Sequence, residues 1–140
     1  MIELLLIALS LVGLANSVYF TFAYYGRVKK SRLIPQIFCA REGSSCVTVV
    51  QTPYARVFGV PNSLLGIFYY VALIVWTMAG SMLGIAWLAW AFIAVSIATV
   101  ILGFYLVYAL RRILHIDCPL CYTAHAINTA LLILLIVQAR

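Results

Sequence analysis

The sequence predicts an all-α fold, a polytopic membrane protein built as a four-transmembrane-helix bundle with a short helix in its first loop. Three observations carry that expectation. The chain is 66% hydrophobic and 9% charged, with a mean hydropathy of +1.14, whereas soluble domains carry roughly 25% charged residues. Such a surface cannot face water, so most of it must face lipid. Val57 to Leu110 contains no charged side chain, and that is room for two spans of about 20 residues each with a turn between them. Two further apolar runs flank this block, one at each end.

At 140 residues the chain is expected to form a single membrane domain, 1–140, with no internal repeat and no low-complexity tract. The first span is expected over 2–25. It opens on Glu3 rather than on a basic cluster, and its apolar run is long enough to cross a bilayer. Both features favour a retained helix over a cleaved signal segment. A long connection, 26–61, follows, and its length points to function. Within it, Gly43-Ser44-Ser45 is suited to start a short helix from about Cys46 to Thr52, which Pro53 ends. This valine-rich piece would lie on the bundle as a lid.

Pro61-Asn62-Ser63 opens the second span, 62–79, with proline near its first turn. Gly80-Ser81-Met82-Leu83-Gly84 offers a reversal. The third span is expected over 85–110, where Ser96, Thr99 and Gly103 fall at spacings of three and four and permit close helix approach. Arg111 and Arg112 mark the return to the surface. Asp117 then precedes the fourth span, 118–137, at a position suited to the positive end of a helix. With four spans, the first and third connections emerge on one side, so all four cysteines face one compartment.

The chemistry concentrates in those cysteines. Cys118-Pro119-Leu120-Cys121 begins the last span, and Cys39 and Cys46 form a second pair in the first connection. A helix start lowers a thiol pKa through its unpaired amides and its dipole, and the thiolate is the attacking species. Pro119 suits the first helical position, where its missing N–H costs nothing. Below the pair, Cys118, Cys121, His125 and Asn128 are separated by three, four and three residues, so they share one helix face. Polar groups inside a span are costly, and a row of them on one face marks a pocket or a pathway. His125, one turn below a redox cysteine, is a candidate donor to a carbonyl oxygen. Asn62, at the top of the second span, either caps its helix or reaches the same region from another wall. A zinc site using Cys118 and Cys121 with Cys39, Cys46 and His115 is less favoured, because Cys39 to Cys46 is too widely spaced for a zinc knuckle. No metal is expected, and nothing points to a nucleic-acid partner.

Three segments resemble the vitamin K epoxide reductase family, membrane-embedded quinone reductases coupled to disulfide formation. They are Cys39-Ala-Arg-Glu-Gly-Ser-Ser-Cys46, the run from Asn62-Ser63 through Gly66 to Tyr70, and Cys118-Pro-Leu-Cys121-Tyr-Thr-Ala-His125-Ala-Ile-Asn128. The resemblance implies a thiol-disulfide oxidoreductase in which Cys121 faces the quinone and Cys118 is its exchange partner. It implies that Cys46 is the loop thiol that reaches Cys118, and that Cys39 meets an external thioredoxin-like protein. Asn62 and His125 resemble the family's hydrogen-bonding groups at the quinone carbonyls, although vertebrate members carry tyrosine at the latter position. The bound substrate implied is a quinone of the menaquinone, ubiquinone or vitamin K type. Bacterial members often carry a fused thioredoxin-like domain, whereas this chain stops at Arg140, so a separate thioredoxin-fold partner is expected. Two alternatives use the same residues: reduction of a vitamin K-like epoxide, and a non-enzymatic thiolate metal-binding protein. Against the latter stands the lack of acidic residues inside spans two to four.

Eight of the nine basic residues, Arg27, Lys29, Lys30, Arg32, Arg41, Arg56, Arg111 and Arg112, lie on the cysteine side, and Arg140 lies opposite. The positive-inside rule then predicts a cytoplasm-facing active site. That compartment is unusual for disulfide formation outside hyperthermophiles. The alternative is that these residues bind anionic headgroups or an acidic partner on the outer face.

Overall fold

The computed structural model describes residues 1–26, 45–83 and 86–139. The first span is α1, Ile2–Tyr24, followed by α2, Ser45–Gln51, the helix expected in the first connection. Thr52 is extended, as the residue before a proline must be, and a 3₁₀ turn occupies Pro53–Ala55. Two short antiparallel strands, β1 (Arg56–Val57) and β2 (Val60–Pro61), form a hairpin closed by Phe58 and Gly59, both at positive φ. This is the two-residue turn that matches strand twist. Three further spans follow as α3 (Asn62–Leu83), α4 (Ala86–Tyr108) and α5 (Pro119–Gln138).

Two boundaries depart from expectation. The reversal assigned to Gly80–Gly84 does not begin at Gly80, because α3 stays helical through Leu83. A glycine in a helix costs about 1 kcal/mol, whereas a backbone group unbonded in lipid costs several. The third span does not end at Leu110, since Ala109–Leu114 continues α4 as a π-helix. His115 stops it in the left-handed conformation, and the Ile116 amide donates to the Leu110 carbonyl at 3.1 Å. Continuation gives Arg111 a partner on α5: its guanidinium lies 5.3 Å from the centre of the Tyr122 ring, and its Nε donates to the Tyr122 hydroxyl at 3.3 Å. Cys118 is the extended N-cap of α5 rather than its first residue.

All four long helices are apolar enough to cross a membrane, and large apolar side chains such as Phe68, Met78, Trp87 and Phe104 point outward. Water would not tolerate that surface, and lipid does. Inside, α1 packs against α3 and α5, and α4 packs against α5. Leu6, Leu73, Leu131 and Leu135 are fully enclosed at the centre. Small residues set the α1–α3 approach. A Cβ on Gly13 would overlap the Tyr70 ring, and one on Gly66 would stand 2.7 Å from Ser17 Oγ. The pair α3 and α4 meet through the Tyr69 hydroxyl and Ser96 Oγ, 2.7 Å apart, and through Trp76 and Phe92, ring centres 5.0 Å apart. Their other halves, toward Asn62 and Leu114, line a cavity instead.

Candidate functional site

Cys118 and Cys121 are brought together. Cys121 Sγ donates to Cys118 Sγ at 2.7 Å, as expected for sulfurs three residues apart across a helix start. Cys118 has no accessible surface. It is covered by Phe20 and Ala23 of α1, Leu110, and Val49 and Val50 of α2, the helix that carries Cys46. The hydrogen bond from Cys121, aided by the nearby Cys121 and Leu120 amides, holds the Cys118 thiol below the ordinary thiol value, although burial pushes it up. Cys39 lies outside the described residues, as does the side chain of Cys46.

Cys121 opens on the cavity between α3 and α4, about 690 Å³ in volume and mostly apolar. That size suits a small organic ring and part of a tail. Asn62, His125 and Asn128 all line it. The amide of Asn128 is fixed by Tyr70, whose hydroxyl donates to its Oδ1 at 2.6 Å. His125 packs its ring against Gly103, where a Cβ would stand 2.7 Å from Nδ1. That Nδ1 is buried and has no hydrogen-bond partner among the described residues. The close approach permitted by Gly103 is therefore made to His125. Ser96 bonds Tyr69 and the Phe92 carbonyl, and Thr99 lines the cavity.

Two cavity residues that fix the site by hydrogen bonds were not singled out in the sequence. Asn16 of α1 donates from Nδ2 to the carbonyl of Leu120 at 3.1 Å, inside the Cys118–Cys121 turn. It is the only amide side chain in the first span, and a polar group there is a signal in itself. Tyr70, quoted only as the end of a motif, is the other.

Chemically, the arrangement offers two sulfurs within exchange distance, one facing an apolar chamber and one sealed beneath α2. Hydrogen-bonding groups from α1, α3 and α5 surround the chamber. Among the described residues, no three of His, Cys, Asp and Glu come together as a metal site would require. Comparison with curated proteins finds none that matches the chain. The model of the vitamin K epoxide reductase family matches residues 4–136, nearly the whole length. Four spans, a thiol pair at a helix start and this match together place the chain in that family, as a multi-pass membrane protein with the family's oxidoreductase chemistry.

Proposed function

We propose that this protein passes electrons from a thioredoxin-fold partner, through two cysteine pairs, to a membrane quinone, and so generates protein disulfides. The observation that carries the reading is the contact of Cys121 with Cys118 at the wall of an apolar cavity. In this scheme a reduced partner exchanges with the Cys39–Cys46 disulfide and leaves oxidised. Cys46 then attacks a Cys118–Cys121 disulfide at Cys118, freeing Cys121 as a thiolate, and Cys39 displaces Cys118 from the resulting Cys46–Cys118 disulfide, so that the loop pair is oxidised again and Cys118 and Cys121 are left as thiols. The position of α2 over Cys118 supports that route, since it brings the segment bearing Cys46 to the same end of the bundle.

When the Cys118 and Cys121 thiols close again to a disulfide, two electrons and two protons pass to the quinone, which becomes a quinol. The quinone supplies the redox chemistry, and the protein supplies position and dryness. Asn62 and His125 line the chamber where charge develops on the ring oxygens, and their donors stabilise it. Quinone absorbance should bleach when the purified protein is mixed with a reduced thioredoxin-like protein. Cys121→Ser should abolish bleaching, and an unchanged rate would refute the assignment.

A further inference from the structure

Asn16 is a polar residue whose two ends have different fates. Its Nδ2 donates to the Leu120 carbonyl. That partner can only accept, so the orientation of the amide is settled: turning it over would set two oxygens against each other. Oδ1 is therefore an acceptor. It has almost no accessible surface, so a ligand reaches it only by displacing the side chains over it; it has no hydrogen-bond donor among the described residues, and it belongs to a residue that lines the cavity. The Cys121 thiol does not serve it, because it donates to Cys118. Tyr70 is likewise engaged, by Asn128. A buried acceptor without a donor is costly, and a ligand that brings a donor removes the cost.

Quinone and quinol differ in this respect. A quinone ring carries carbonyl oxygens, which accept, whereas a quinol carries hydroxyls, which donate. We infer that Asn16 is a specificity-determining residue that accepts a hydrogen bond from a hydroxyl of the reduced ring, so that the cavity holds quinol in preference to quinone. The inference rests on the quinone reading above. Through Leu120 the same amide anchors the turn that presents Cys121, which puts the acceptor at the level of the reacting sulfur. Preferential binding of the reduced ring pulls the two-electron transfer forward, because it stabilises the side of the reaction on which the hydroxyls exist.

The test uses the full chain in detergent, made redox-inert by Cys118→Ser with Cys121→Ser, and titrated with a decyl benzoquinone and with its quinol. Asn16→Leu should weaken quinol binding about tenfold and change quinone binding less than twofold. Asn16→Ala, which only removes atoms, should give the same asymmetry and serves if the leucine variant does not fold. Equal loss of both ligands, or loss of neither, would overturn the role of Asn16 while leaving the quinone site intact. Failure of the redox-inert parent to bind either ring would overturn the quinone reading itself.

Discussion

Replacing Gly103 by alanine tests whether His125 acts on the substrate through its position. The added Cβ would stand 2.7 Å from Nδ1 and 3.2 Å from Cγ of His125, where ordinary contact begins at 3.4 Å. The imidazole must therefore withdraw by about 0.7 Å, since α4 backbone cannot yield without disturbing its packing on α5. Overpacking of this kind costs about 1–3 kcal/mol, and alanine returns about 1 kcal/mol of helix propensity over glycine. The variant should still fold. A catalytic group displaced by about 1 Å loses on the order of a hundredfold in rate, so a shift of this size should lower quinone turnover at least tenfold. The assay is quinone bleaching by a reduced thioredoxin-like protein, run alongside thermal unfolding in detergent. In a His125→Phe background the alanine should cost no further activity. Wild-type turnover and KM in Gly103→Ala would refute the reasoning.

Four other outcomes are expected. With Cys39 and Cys46 replaced by alanine, Cys118 should titrate below the ordinary thiol range, so its thiolate persists as pH falls. Adding Cys121→Ala removes the main cause and should move the thiolate absorbance transition to higher pH; an unmoved transition would argue against the sulfur–sulfur bond. Tyr70→Phe deletes the bond to Asn128 and should cost about 0.5–1.5 kcal/mol in reversible unfolding. Leu131→Ala, fully enclosed, should cost about 2–5 kcal/mol through the void it leaves. An impermeant thiol reagent should label Cys39 only after lysis if the cysteine side faces the cytoplasm, and rapid labelling of intact cells would reject that orientation.

The fold class was legible because lipid imposes simple demands: Val57 to Leu110 lacks charge, and every apolar run is long enough to span. Endings were less legible. Glycine and serine at positions 80 and 81 read as a reversal by local propensity, yet the helix runs on to Leu83 because satisfying the backbone outweighs propensity. The π-helix at Ala109–Leu114 accompanies a pairing of Arg111 with Tyr122, a tertiary contact that no local pattern announces. At the site, the spacing of Cys118, Cys121, His125 and Asn128 put them on one face, and three of them line the cavity. Asn16 escaped notice because its partner, Leu120, is 104 residues away. The cavity escaped as well, since it exists only where α3 and α4 leave space between them.

The sealed state of Cys118 carries a consequence for specificity of another kind. A sulfur with no accessible surface is out of reach of peroxide, glutathione and any other small thiol reagent that arrives through water, so it is shielded from over-oxidation and from short-circuit. In the proposed exchange, access to that atom is limited to groups delivered by the chain itself. The protein thereby keeps a reactive pair in a crowded redox environment and still chooses who may trade with it.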